Sequence, residues 1–160
     1  MPGEDFSRRF RNALGMFATG ITVVTTRTPD GTPIGLTVNS FNSVSLDPAL
    51  IVWSMSNKLP SLPLLEGCEY YAINVLAADQ EDLSQRFASR LDDRFAGIEF
   101  DQGVGGVPLL RGCCAHFECR NTTRHAGGDH TVFISEVVDF DRFDRPPLLY
   151  FGGAYRRLAP

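Results

Sequence analysis

The sequence lacks a basic excess. Lys and Arg number 15 against 19 Asp and Glu, giving a net charge of −4 and a pI near 5.3. Nucleic acid and anionic membrane are therefore poor partners, since both are held by clustered cations. No apolar run approaches the roughly 20 residues of a membrane-spanning helix, and the opening MPGEDFSRRFRN has no apolar signal core. A cytoplasmic protein is expected. No G-x-G-x-x-G follows a strand and opens a helix, and no G-K-[ST] is present; the glycines of VGGVPLLRG and HAGGDH have other spacings. This argues against a Rossmann or P-loop nucleotide site. The four cysteines, Cys68, Cys113, Cys114 and Cys119, contain no C-x-x-C pair of the kind zinc sites favour. Although His116 and His125 lie nearby, the expectation is buried, reduced thiols and no metal.

What remains fits one domain spanning residues 1–160. With 43% apolar and 21% charged residues, the chain is long enough to bury a substantial core. In DFSRRFRNALGMFATG, Phe6, Phe10, Leu14 and Phe17 recur at helical spacing, which predicts a helix with one apolar face, ended by Gly20. ITVVTT (21–26) and PIGLTV (33–38) flank the turn residues Pro29-Asp30-Gly31 and predict a hairpin. ALIVWSM (49–55) is a third strand. A short helix over 61–66 leads to a strand at 69–77, and Asp79 is placed to cap a helix reaching about Ser89 with Leu83 and Phe87 on its inner face. Residues 91–108 read as a glycine-rich loop with one short helical turn. Strands return at 114–122, 130–140 and 148–151. Short antiparallel strands with few helices indicate a mainly β barrel rather than a doubly wound parallel sheet.

One stretch is unusual. Between the apolar ends of LTVNSFNSVSLDPALIVWSM, the chain carries Thr37, Asn39, Ser40, Asn42, Ser43 and Ser45, more short hydrogen-bonding side chains than a turn requires. On composition, two readings stand equal: turn residues satisfying their own backbone, or a neutral pocket for a polar ring edge, a sugar chain or a phosphate.

The order of the segments adds a further inference. FATGITVVTT, GLTVNSFNSVSLDPALIVWSM, YYAINVLAADQEDLSQRFA, GVPLLRGCCAHFECR, GGDHTVFISEVVDFD and PLLYFGGAYRRL together resemble the short-chain flavin reductase family from end to end. The combination of T-V-N-S-F-x-S-V-S-L-x-P with G-D-H and L-L-Y-F-x-G-x-Y carries the resemblance. It implies an FMN-binding split β-barrel of Greek-key type with a few peripheral helices, usually a homodimer. It further implies an NADH- or NADPH-dependent oxidoreductase that reduces FMN or FAD and hands the reduced flavin to a partner monooxygenase.

Carried over by position, the resemblance places Thr37, Val38, Asn39 and Ser40 along the flavin ring and ribityl chain, with Ser45 nearby. It places Ser54, Asn57 and Lys58 at the ribityl and phosphate end, where Lys58 supplies a point charge. Phe87 packs near the flavin and Arg90 reaches toward a phosphate. Where the family opens a helix with serine or threonine after Asn57-Lys58, this chain has Leu59-Pro60-Ser61, so the hydroxyl contact passes to Ser61 and the choice between FMN and FAD stays open. His130 is expected to orient the nicotinamide, with Asp129 holding its imidazole or capping the turn. Phe151, Gly152 and Tyr155 form a second nicotinamide-facing element, and Arg156 and Arg157 meet a dinucleotide phosphate or face water. Val38, Val44, Trp53 and Phe87 are wall candidates, although for Trp53 plain core packing is the preferred reading. Two other readings use the same barrel: a flavin-binding redox module that NAD(P)H does not reduce, and an electron-transfer protein whose acceptor is a metal centre or corrinoid.

Overall fold

The computed structural model describes residues 3–160. Its helices are α1 (Glu4–Leu14), α2 (Leu62–Gly67) and α3 (Glu81–Phe87). The strands are β1 (Thr19–Gly20), β2 (Thr22–Arg27), β3 (Pro33–Val38), β4 (Asn42–Leu46), β5 (Ala49–Ser56), β6 (Tyr70–Val75), β7 (Phe100–Gln102), β8 (Pro108–Leu110), β9 (Ala115–Gly127), β10 (His130–Arg142), β11 (Leu149–Phe151) and β12 (Ala154–Arg156). Seven of them form an antiparallel sheet in the order β3-β2-β6-β9-β10-β5-β4, and β1-β11-β12 and β7-β8 form two small sheets beside it.

β2 is buried on both faces, which is why it reads as an unbroken β-rich run rather than an alternation. Val24 packs with Leu36, Trp53, Met55, Tyr71 and Phe133 inside the curl of the sheet, whereas Val23 packs with Ile21, Leu76, Phe87, Phe95 and Leu148 on the other face. Its buried hydroxyls are satisfied: Thr25 donates to the Pro108 carbonyl (2.6 Å) and Thr26 to the Tyr70 carbonyl (2.7 Å). Buried Asn74 donates to the Val23 carbonyl and Thr25 Oγ1 and accepts from Leu110 N–H, tying β8 to the main sheet. Trp53 is fully buried and stacks on Phe133 at 4.4 Å, so it is core and not a wall of any cleft.

The two outermost strands of the seven, β3 and β4, are joined by Asn39, Ser40 and Phe41 alone. Such a link spans at most about 14 Å, so the sheet must curl until its ends nearly meet. They do not pair with each other, and the barrel stays split. Ser40 bridges the gap: its Oγ donates to the Ser54 carbonyl (2.8 Å) and accepts from Ser54 N–H (3.0 Å). A serine side chain thus occupies the place a neighbouring strand's backbone would take on β5.

Several local expectations change. The polar stretch contains a strand, β4, held only by pairing with β5 at Asn42↔Val52, Ser43↔Ile51 and Ser45↔Leu50; serine and asparagine carry no β signal, so partner and not propensity decides. α1 stops at Leu14, with Gly15 as its C-cap, leaving Phe17 beyond the helix. Its apolar face is left open: Phe6, Phe10 and Leu14 are each more than half exposed, with Phe6 stacked on Phe10 of the same helix. Gln80 and not Asp79 precedes α3, and its amide bridges Ala77 N–H to the Arg111 carbonyl instead of capping. The glycine-rich segment hides the β7-β8 hairpin, and the C-terminus adds β12 through the two-residue turn Gly152-Gly153, both with positive φ as such a turn demands.

Ser40→Ala is expected to lower stability by about 1 kcal/mol and the melting temperature by roughly 2–4 °C, because Ser54 loses partners for both backbone groups at the split. An unchanged thermal melt would show that the tether holds nothing.

Candidate active site

Because β3 has no strand on its outer side, its backbone faces open space there. A cleft of about 680 Å³ runs along it, within the range of sites for cofactor-sized molecules. The opposite walls are residues 59–61 and the segment 91–95 after α3, with Phe87 between. A second cleft of about 250 Å³ continues past Thr37 and Ala88 to Val38, Asn39, Ser84, Tyr150 and Tyr155. The larger one is mostly apolar, lined by Ile34, Leu36, Leu59, Pro60, Phe87, Leu91, Phe95 and Phe100.

The polar groups come from the strand edge. Arg94 Nη1 donates to the Gly35 carbonyl (2.9 Å) and the Phe87 carbonyl (3.1 Å), which shows that Gly35 points away from β2. In a regular antiparallel strand, N–H and C=O of one residue share an edge, and alternate residues repeat it. The amides of Gly35 and Thr37 therefore turn into the cleft. Ser61, just before α2, also lines it, and its hydroxyl makes no capping hydrogen bond. A flat apolar slot with backbone donors along one edge and a hydroxyl at one end suits the isoalloxazine of a flavin, whose ring is apolar and whose pyrimidine edge accepts hydrogen bonds.

A polar cluster forms at the end of β5, around Asn57 and Lys58, which immediately precede the cleft residues 59–61. His130 opens β10 opposite Ser56. Asn57 N–H donates to the Asp129 carbonyl (2.9 Å), and Thr131 Oγ1 donates to Asn57 Oδ1 (2.8 Å). The Asp129 carboxyl lies 2.7 Å from His130 Nδ1. That hydrogen bond, then the charge of the imidazole, and more weakly the Lys58 ammonium hold the Asp129 carboxyl below its ordinary range. An ionised carboxylate only accepts, so Nδ1 carries the proton and Nε2 is the nitrogen left for a ligand. The imidazole is 44% exposed, and Lys58 projects from an exposed position.

The sequence-predicted residues thus fall into groups. Thr37, Val38, Asn39, Ser61, Phe87 and Tyr155 line the two clefts. Asn57, Lys58 and His130 gather in the polar cluster and are not among the residues lining the two clefts. Ser40 and Ser54 bond each other across the split. Ser45 sits in β4 opposite Leu50, and Arg90 is exposed between the cleft residues Ala88 and Leu91. Phe151 and Gly152 belong to the C-terminal hairpin, whose turn donates from Gly152 N–H to the Gly15 carbonyl (2.8 Å).

Among the cleft residues that escaped the sequence reading are Gly35, Arg94 and Ser84. Arg94 lies in the glycine-rich segment, where no pattern marks it. Ser84 did have a signal: with Gln80 and Phe87 it falls on the buried stripe of α3, a polar residue where an apolar one is expected. A separate cleft of about 480 Å³, lined by Arg27, Cys68, Glu69 and Tyr70 among others, contains none of the predicted residues.

Comparison with known proteins agrees with this geometry. Residues 14–159 match the family described as flavin reductase like domain. The chain is 46% identical over 159 residues to the FMN reductase (NADH) SmoA of Agrobacterium fabrum, covering 99% of this chain and 90% of that protein. It is 38% identical over 154 residues to HsaB, the reductase subunit of a flavin-dependent monooxygenase of Rhodococcus jostii, covering 96% of this chain and 78% of HsaB. Among solved structures, the Streptomyces globisporus NADH:FAD oxidoreductase SgcE6, in complex with NAD and FAD fragments, matches with a TM-score of 0.92 at 36% identity, covering 100% of this chain and 97% of that one. The flavin reductase PheA2 matches with a TM-score of 0.88 at 40% identity, covering 96% and 98%. The fold, the open edge of β3 and these likenesses converge: the chain belongs to the flavin reductase like domain family.

Proposed function

We propose that this protein is an NADH:flavin oxidoreductase that reduces FMN or FAD and supplies the reduced flavin to a partner monooxygenase. The observation that carries the reading is the apolar cleft along the unpaired edge of β3, with the Gly35 and Thr37 amides turned into it. The names of SmoA, HsaB and SgcE6 support the same donor and acceptor.

A flavin bound in the cleft supplies an N5 that accepts hydride from nicotinamide C4. The chain's own contribution is positioning. Backbone amides of β3 fix the pyrimidine edge, and the apolar walls exclude water from the ring. Ser61 and Lys58 stand at the phosphate end. His130 Nε2 orients the nicotinamide carboxamide, with the imidazole held by Asp129, and the C-terminal hairpin closes the opposite side. Stacking two rings in register supplies most of what such a transfer needs, since no proton has to move with the hydride. NADH is favoured over NADPH because Arg157, one of the two C-terminal arginines, is already engaged, donating to the Ala78 carbonyl (3.0 Å) and pairing with Glu81 (3.4 Å).

The exposed Phe6, Phe10 and Leu14 stripe of α1, continued by Met16 and Phe17, supports a homodimer, because a lone soluble chain seldom leaves so many large apolar groups in water. No helix among the described residues is long and apolar enough to cross a membrane, and the four thiols are free. A cytoplasmic location for this single domain is consistent with both, and NADH is available there.

Purified protein is expected to oxidise NADH at a rate that depends on added flavin; no oxidation with FMN, FAD or riboflavin would refute the enzyme reading. His130→Ala should lower kcat/KM for NADH by about 1–3 kcal/mol in transition-state terms, with flavin affinity and melting temperature nearly unchanged. A drop in all three together would make His130 a structural anchor of β10 instead.

A further inference from the structure

Three elements far apart in sequence meet at Ser84. Its side chain is 1% exposed, yet Ser84 holds two polar contacts outside its own helix. Its carbonyl accepts from Thr37 Oγ1 (2.7 Å), and its Oγ lies 2.8 Å from the Tyr155 hydroxyl. Thr37 is on β3 and Tyr155 on β12, so one buried serine of α3 links both walls of the smaller cleft. The Tyr155 ring is also braced edge-on by Tyr150 at 5.7 Å. Among the described residues, the only strand the β11-β12 hairpin pairs with is the two-residue β1. So short a ladder holds a hairpin weakly, and side-chain contacts have a large share in setting where its rings lie.

We propose that Ser84 is a positioning residue for the nicotinamide: by bonding the Tyr155 hydroxyl it fixes the aromatic wall against which the nicotinamide of NADH packs, in register with the β3 edge that it holds through Thr37. The inference rests on the reading of the adjoining clefts as the hydride-transfer site. Chemically, the hydroxyl pair is suited to this task. Each group both donates and accepts, so the bond survives whichever way the proton lies. A hydroxyl in this place orients Tyr155, which an alanine of nearly the same size would not do. The main-chain contact to Thr37 would persist in either case, so flavin binding along β3 is separated from nicotinamide placement.

The test is a double-mutant cycle of Ser84→Ala and Tyr155→Phe. Each single change removes the same hydrogen bond from a different end. Each should weaken NAD+ binding to flavin-loaded protein, measured by calorimetry, and lower kcat/KM for NADH, in both cases by about three- to tenfold. Flavin affinity should stay within about twofold. The double variant should be no worse than either single one, because the bond can be lost only once. Effects that multiply would overturn the proposal, as would unchanged NAD+ affinity in either variant, or a Ser84→Ala protein that loses flavin and nicotinamide affinity together. Should Ser84→Ala fail to fold, Tyr155→Phe alters the half-buried end alone, and its NAD+ affinity decides by itself: weaker supports the proposal, unchanged overturns it. Failure of the functional reading looks different. There the wild-type protein itself neither oxidises NADH nor binds NAD+, whereas failure of this inference leaves an active wild type beside unaltered variants.

Discussion

Three residues joining the two edges of one sheet constrain everything else. Because β3 and β4 are the outermost of seven strands and only Asn39, Ser40 and Phe41 separate them, the sheet has to wrap around its core. Because the edges then fail to pair, the backbone of β3 is left with a free side. Unpaired strand edges are ordinarily covered or blunted, since they invite association with other chains. Here Ser40 covers part of β5, and the free side of β3 is flanked by α3, by residues 59–61 and by the segment 91–95. The split is therefore a structural cost that leaves an open cleft along β3, the seat proposed for the flavin.

Rigidity around that site comes from side chains that bond backbone. Arg94 clamps its own loop to Gly35 and to the end of α3, while Arg86 donates to the Arg94 and Ala96 carbonyls, both at 2.6 Å. Thr37 ties β3 to α3, and Asp129 fixes one nitrogen of His130. These contacts fix the walls of the slot; Arg94 brings its guanidinium to the β3 edge at Gly35, and Asp92 and Asp93 line the same wall.

Much of this was legible in the sequence, and the exceptions share a cause. β2, β3 and β5 announce themselves through β-branched runs and turn residues. β4 does not, since Asn42, Ser43 and Ser45 have no strand preference and are held by β5 alone. The short polar side chains of 37–45 raised the right question, yet Ser40 answers it as a tether across the split, a role defined by a partner 14 positions away in sequence. The α1 stripe was readable as amphipathic, but among the described residues nothing covers its exposed face. Arg94 was invisible because a loop residue acquires a role only from what its carbonyl partners happen to be. In each case a long-range contact, which no local pattern records, decides the outcome.

The central claim is that the unpaired edge of β3 is the flavin seat. A crystal structure of the protein soaked with FMN and NAD+ tests it most directly. The account predicts the ring along the outer side of β3, its pyrimidine edge facing the Gly35 and Thr37 amides and the nicotinamide stacked between it, His130 and the C-terminal hairpin. A flavin seated instead in the separate cleft at Arg27 and Tyr70, with the β3 edge left to water, would contradict it.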